Sequence, residues 1–248
     1  MPDLWTEDPR SVATYDVENT GRWDHDFYLA LADELGARDV VDLGCGTGVF
    51  CVDLAHRGIR AVGVDPAATI LEAARSRPGG DLVTWVHGTA ADVAPGSADL
   101  VVMMGHVAQY FVDEAEWAAT LAACRRILRD GGRLTFETRN PDRGWPQRWT
   151  HARTTSTLPH PDGGEFTSSV EVVEVVGPPT SFTETHVGRT VLPDGDVVEH
   201  AETLRFRNEQ EIRGSLAEAG FVVEQVWGDW GRGPMTPDSD ELIVLARR

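Results

Sequence analysis

Val40-Val41-Asp42-Leu43-Gly44-Cys45-Gly46-Thr47-Gly48 reads as a short strand that runs into a three-glycine turn and then into a helix. Val40, Val41 and Leu43 supply the apolar run expected of a parallel strand covered on both faces. Gly44, Gly46 and Gly48 carry no Cβ, so the backbone can take positive φ and a ligand can approach it closely. The helix beginning near Val49 turns its free N–H groups and positive dipole end toward the same crevice. The stretch therefore specifies a nucleotide-type cofactor site.

Two details narrow the ligand. The dinucleotide fingerprint G-x-G-x-x-G needs a third glycine at position 49, where Val stands. Asp42, just ahead of the turn, is a poor neighbour for a pyrophosphate and a good one for an ammonium or a sulfonium. A second strand, Ala61–Asp65, ends in a carboxylate, the position that accepts hydrogen bonds from ribose hydroxyls in doubly wound folds.

Asp42–Gly48 and Val62–Asp65 resemble the first and second motifs of the class I S-adenosylmethionine-dependent methyltransferases. His87–Asp92 is similar to their third, Ser97–Met104 to their fourth, and Leu128–Thr135 to the element leading into their fifth strand. The five matches fall in the family's order within residues 40–136, and Thr89 stands where many members carry an acidic residue. The resemblance implies a Rossmann-like fold: a doubly wound, mostly parallel seven-stranded sheet. It also implies S-adenosyl-L-methionine as cofactor and S-adenosyl-L-homocysteine as product. Carried over residue by residue, it assigns Asp42, Gly44, Cys45, Gly46 and Gly48 to the methionine and ribose parts. Asp65 takes the ribose hydroxyls, Pro66 lies along the adenine, and Thr89 and Ala90 sit at its edge. Met104 and Gly105 offer backbone near the sulfonium. In members of this family the segment ahead of the first helix often closes over the cofactor, and Tyr15 is the residue there that reaches the methionine end or else packs on the surface.

The chain has 248 residues, enough for one large α/β domain or one domain with an insertion. A net charge of -18 argues against a phosphate-rich partner, because counterion release needs a basic footprint. Nucleic acid is therefore disfavoured. All 22 Lys+Arg residues are arginine, which removes a Walker-type lysine and Schiff-base chemistry. Cys45, Cys51 and Cys124 lack CxxC spacing and read as reduced thiols. No apolar run approaches membrane length, so the expectation is a cytoplasmic protein without a membrane partner. The histidines at 151, 160, 186 and 200 show no ligand spacing, and no metal is assigned.

Residues 1–36 are expected to be a polar, loosely held arm followed by a covering helix with Trp23, Phe27, Leu31 and Leu35 on one stripe. Strand and helix patterns then alternate through residue 138, which dictates right-handed crossovers and a parallel sheet. Asp113 with Glu116, and Asn208 with Glu211, read as helix starts. Residues 37–138 and 208–248 together are expected to form the cofactor-binding domain. Between them, 139–207 lacks helical periodicity. Residues 165–176, 181–192 and 197–207 alternate as three antiparallel strands of an insertion, a lid or a homodimer surface.

An activated sulfonium asks mainly for alignment and exclusion of water. A base is needed only where the acceptor must lose a proton. His106, directly after the fourth strand, is the candidate base, or a residue that orders the loop. Arg139, Asn140, Trp145 and Trp149 are the candidate acceptor pocket, or a stiff connector into the insertion. The expected activity is methyl transfer to N or O of a small-molecule acceptor, with protein or RNA methylation disfavoured. The alternatives are an NAD(P)-dependent Rossmann oxidoreductase and a non-catalytic accessory protein that binds the same cofactor.

Overall fold

The computed structural model describes residues 5–248, and residues 1–4 of the expected N-terminal arm lie outside the described residues. The rest of that arm is not loose. Asp8 caps a helix, α1 (Pro9–Glu18), with Pro9 at its first position, where a missing N–H costs nothing. The covering helix α2 (Trp23–Glu34) follows. Phe27, Tyr28 and Leu31 are buried, but Trp23 is 64% exposed, so the apolar stripe begins one turn later than its spacing suggests.

The alternating segment builds β1 (Asp39–Leu43), α3 (Val49–His56), β2 (Arg60–Asp65), α4 (Ala68–Ser76), β3 (Thr84–His87), β4 (Ala98–Met103), α5 (Glu114–Ile127) and β5 (Leu128–Arg139). Next come two single-turn helices, α6 (Trp145–Arg148) and α7 (His151–Thr154), and the strands β6 (Ser156–Pro159), β7 (Glu165–Val176), β8 (Phe182–Val191) and β9 (Val197–Phe206). The chain closes with α8 (Glu209–Glu218), β10 (Val222–Trp227) and β11 (Glu241–Arg247).

Seven strands form one sheet in the order β10-β11-β5-β4-β1-β2-β3. β1 pairs in parallel with β2 and with β4, and β11 runs antiparallel to both β5 and β10. Alternation along the central strands feeds two cores. Val101 and Met103 pack toward Trp117, Leu121 and Ile127 of α5, whereas Leu100 and Val102 pack toward Phe27, Leu31 and Phe50 on the other face. This is the doubly wound, seven-stranded arrangement. Strand order reverses between β1 and β4, and the crevice beyond their carboxyl ends is where such sheets bind ligands.

The second sheet has four antiparallel strands, β6-β7-β8-β9, rather than three. The added strand β6 is four residues long and ends in a proline, too short to register as alternation. The inner face of β8 and β9 packs on Trp145 and Trp149 through Phe182, Leu204 and Phe206.

Candidate active site

The glycine turn is fixed first by backbone. Gly44 and Cys45 donate their N–H groups to the Val64 carbonyl at 2.8 and 3.1 Å, which ties the turn to the end of β2. Gly44 has φ 75°, and a Cβ there would lie 2.4 Å from Val107 Cγ2. Gly46 has φ 54°, and its missing Cβ would stand 3.2 Å from the Tyr15 hydroxyl. Both positions combine left-handed backbone with crowding on the crevice side, so only glycine fits without strain.

Two carboxylates flank this turn. Asp65 accepts from Gly46 N at 3.0 Å and from Ala67 N at 2.9 Å, so it clamps the turn to the start of α4. Burial raises its pKa, and those two backbone donors pull the other way. Asp42 is 1% exposed. The Cys51 thiol donates to its Oδ2 at 3.5 Å, and Oδ1 has no partner among the described residues. Burial pushes the Asp42 carboxyl up to about 7. A buried carboxylate with a free oxygen is destabilising by itself and calls for a cation. The same burial drives the Cys45 thiol well above its usual range, so it stays neutral.

The other residues assigned to the cofactor divide. The Pro66 carbonyl lies 3.0 Å from His87 Nε2 at the tip of β3. Thr89 spends its side chain locally, accepting from Ala91 N and donating to Asp92, which caps the turn that contains Ala90. Met104 and Gly105 follow β4, with Gly105 at φ 74°.

α1 closes the crevice. Asp16 takes the Thr47 hydroxyl at 2.6 Å and Arg77 at 2.5 Å, and Arg77 also donates to the Thr47 carbonyl at 2.8 Å. Glu7 accepts from Ala68 N and Thr69 N at the start of α4, at 2.8 and 2.9 Å. Tyr15 is thereby held against Gly46, and burial beside Asp65, Asp16 and Asp42 keeps its phenol protonated. Trp5 stacks on Tyr15 at 5.5 Å and on His200 of β9 at 5.1 Å, which joins this closure to the second sheet.

At the end of β4 the chain turns sharply through His106, whose φ of 62° is unusual for a residue other than glycine. Glu137 holds it there by accepting its backbone N–H at 2.7 Å, while its second oxygen takes the Tyr28 hydroxyl at 2.5 Å. The His106 ring lies 3.0 Å from Glu241 on β11. Burial and the Arg139 charge push the imidazole down to about 3, and burial raises Glu241 to about 7 against the pull of Arg139. His106 is therefore a neutral imidazole beside a carboxyl whose ionisation burial opposes, in a strained backbone position of the kind that clusters at functional sites.

Arg139 donates to Gln109 Oε1 at 2.9 Å and lies over the rings of Trp149 and Trp145, 4.8 and 5.6 Å from their centroids. Three of the four candidate acceptor residues thus come together. Asn140 joins them only through its backbone carbonyl, which accepts from Trp145 Nε1 at 2.9 Å. Its Nδ2 donates to the Ser239 carbonyl and its Oδ1 accepts from Asp142 N, so it serves the loop.

Sequence reading missed Glu7, Asp16, Gln109, Glu137 and Glu241. Glu137 carried a signal, as a charge at the end of a buried strand. The others lie far along the chain from the residues they touch.

Residues 40–132 match the model of a family described as a methyltransferase domain. Ubiquinone biosynthesis O-methyltransferase from Sodalis glossinidius is 27% identical over 165 residues, 58% of this chain and 64% of that one. Cypemycin N-terminal methyltransferase from a Streptomyces species is 28% identical over 222 residues, 86% of this chain and 84% of that one. The CcbJ methyltransferase from Streptomyces caelestis shares the fold with a TM-score of 0.73 at 20% identity, over 97% of this chain and 98% of its own. Residues 40–132 thus match a methyltransferase domain, and nearly the whole chain has the fold of solved S-adenosylmethionine-dependent methyltransferases.

Another member of the fold is the SAM-bound CalS10, an amino pentose methyltransferase from Micromonospora echinaspora, with a TM-score of 0.66 at 22% identity over 95% of this chain and 96% of that one. The match spans only 64% and 50% of the ubiquinone-pathway relatives' own length. These matches do not favour the oxidoreductase alternative. No helix among the described residues is long and apolar enough to cross a membrane.

Proposed function

We propose that the chain transfers a methyl group from S-adenosylmethionine to nitrogen or oxygen of a small-molecule acceptor. The observation that carries this reading is the buried Asp42 carboxylate, whose Oδ1 has no partner among the described residues, beneath a turn that only glycine can make. An amino-acid ammonium bound over the turn would pair that oxygen, and the Asp65 carboxylate would receive ribose hydroxyls. The Thr89 side chain is occupied by its own turn, so the adenine is read by backbone and by Pro66.

Bound there, the cofactor supplies an already activated methyl group. The protein's part is to position the acceptor, keep water out and hold a proton. Exclusion of water falls to α1, with Tyr15 over Gly46. The group placed to take a proton is His106 together with Glu241, 3.0 Å from its ring; burial opposes a charged imidazole, so a proton it receives is held by being shared with that carboxyl. The relatives act, by their names, on a ubiquinone precursor pathway, a peptide N-terminus and an amino pentose. All are consistent with a small acceptor or chain end entering this closed crevice.

The test pairs binding with turnover. S-adenosylhomocysteine should bind the purified protein, and methyl-labelled S-adenosylmethionine with a cell extract should place label in the small-molecule fraction. Label in protein or RNA would overturn the acceptor class. Binding without any transfer would favour an accessory role. His106→Ala should lose turnover, on the order of 100-fold, with cofactor affinity near wild type. Loss of cofactor binding in that variant would make His106 an ordering residue instead.

A further inference from the structure

At the end of the sheet opposite the crevice, a cavity of about 610 Å³ opens between the last turn of α5, the turn before β4 and the residue that closes α8. Pro95, Ala122 and Ala219 form its apolar side, and its charged lining is Arg125, Arg126 and Arg248. No carboxylate among the described residues lines it. This runs against the composition of the chain. Carboxylates outnumber arginines 40 to 22, and most arginines pair with one, as Arg129 does with Asp39 and Asp99 and Arg207 does with Glu114. Arg125 and Arg126 pair with none among the described residues, and their side-chain hydrogen bonds run to main-chain carbonyls instead. Arg248 has Asp130 at 3.2 Å, but that carboxylate is 98% exposed, so water screens the pair.

The donors can be followed atom by atom. Arg125 donates through Nε to the Gly220 carbonyl at 3.3 Å, and its two terminal nitrogens have no partner among the described residues. Arg126 donates through Nη2 to the Ala91 carbonyl at 3.0 Å and the Ala90 carbonyl at 3.4 Å, and its Nε and Nη1 have none. Neither side chain is needed to cap α5, because the Arg126 and Ile127 carbonyls already accept from Gly96 N and Ser97 N at 2.9 Å each. The N–H groups of a guanidinium form a planar fork that matches the oxygens of a phosphate. Three arginines around one cavity suit a dianion better than a single carboxylate. The volume exceeds what inorganic phosphate fills, and the apolar side has room for the organic part of an ester. A net charge of -18 repels extended polyanions, so the guest is a small molecule rather than nucleic acid or an anionic membrane.

We propose that this cavity is a second ligand site, which binds a small phosphate monoester and is linked to the cofactor through Arg126. Arg125 and Arg126 hold the phosphate oxygens, Arg248 adds charge, and the apolar side takes the organic part. The link follows from the bonds of Arg126, which supports the Ala90–Asp92 turn. An anion on the far side of that guanidinium leaves both carbonyl bonds intact and holds an exposed side chain still. The occupied cavity therefore firms the turn and tightens the cofactor, and the cofactor tightens the ester by the same factor. The site stands on its own geometry; the link rests on the methyl-transfer reading, which puts the adenine at that turn.

The probe is phenyl phosphate, with benzoate and phenol as companions that keep the ring and change or remove the anion. Each is titrated by calorimetry into the full chain at fixed ionic strength, with and without S-adenosylhomocysteine. Phenyl phosphate should bind at least about tenfold more tightly than benzoate, and phenol should not bind. Arg125→Gln and Arg126→Gln should each weaken it by at least about fivefold with the melting temperature unchanged. Arg38→Gln, at an exposed arginine away from the cavity, should leave it as it is. Saturating phenyl phosphate should raise S-adenosylhomocysteine affinity by about fivefold in the wild-type protein and in Arg125→Gln, and not in Arg126→Gln. Equal binding of phenyl phosphate and benzoate overturns the site. So does binding that survives both cavity substitutions, or no binding at millimolar concentration. Phenyl phosphate that displaces S-adenosylhomocysteine overturns it as well, because the ester then sits in the cofactor crevice. A cofactor affinity that ignores the ester overturns the link. Failure of S-adenosylhomocysteine to bind at all is a different result: it removes the methyl-transfer reading and the link with it, while the titration without cofactor still decides the cavity.

Discussion

The two ends of the crevice are built in different ways. At the cofactor end, one run of chain, Asp42 to Gly48, supplies a carboxylate, three glycines and a helix start, and Asp65 on the adjacent strand clamps it. At the proposed acceptor end, Arg139 of β5 pairs with Gln109 and lies over Trp145 and Trp149, residues drawn from three separate segments of the chain. The first construction is local and rigid. The second is a tertiary meeting of side chains, each replaceable without changing the backbone beneath it. Substitutions should therefore separate: those in the turn weaken cofactor binding, and those on the second sheet leave it in place.

The largest effect is expected from Gly44→Val. The residue would need φ near 75°, and its Cβ would lie 2.4 Å from Val107, which itself follows His106. Affinity for S-adenosylhomocysteine should fall by more than about 100-fold while far-UV circular dichroism keeps its helical signal. A variant that still binds within a few-fold of wild type would show that the turn is not the floor of the site.

Asp42→Asn comes next, at about 1–3 kcal/mol of cofactor affinity, the usual cost of an unpaired buried partner. Its pH behaviour sharpens the test. The carboxyl moves from 3.8 up to about 7 on folding without a cation, so ionising it costs the native state stability. That cost is absent below the unfolded value and grows as pH rises from about 4 to about 7. The unliganded protein should lose stability through this window, less steeply in Asp42→Asn. A bound ammonium reverses the sign, so S-adenosylhomocysteine affinity should rise over the same window, by no more than about tenfold per pH unit. Glu241 is raised in the same direction, so the difference between wild type and variant isolates Asp42. A difference of zero in melting temperature across the window would remove Asp42 from the cation site.

This contrast also sets what could be read from sequence. The sheet and its crevice were legible because apolar runs such as Leu100–Met103 and the glycines after β1 impose backbone structure on their own neighbours. Tyr15 was legible only as an alternative, since nothing in its segment states that Asp16 will find Thr47 and Arg77. Asn140 looked like a pocket residue because it sits in the right loop, yet the loop consumes both its polar atoms. His186 looked scattered because its partners lie two residues before it and on the facing strand, a spacing with no meaning until β8 and β9 are paired. The four-residue β6 escaped because its hydrogen bonds come from β7, not from any pattern of its own.

The smallest effect, and the one that joins the two ends, is at the closure. Asp16 is half exposed and outside the crevice proper, but it bridges the Thr47 hydroxyl of the glycine turn and Arg77 of the segment after α4. Surface ion pairs contribute little to stability, so Asp16→Asn should leave the melting temperature nearly unchanged. What it removes is a latch on α1, the element that holds Tyr15 on Gly46 and, through Trp5, touches His200. Release of S-adenosylhomocysteine should speed up by about three- to tenfold, with association less affected, as stopped-flow tryptophan fluorescence would report. Because the same helix meets the second sheet, the apparent affinity for the acceptor should weaken alongside it. Faster cofactor release with acceptor binding untouched would mean that α1 serves the turn alone, and that the two ends of the crevice are as independent in motion as they are in construction.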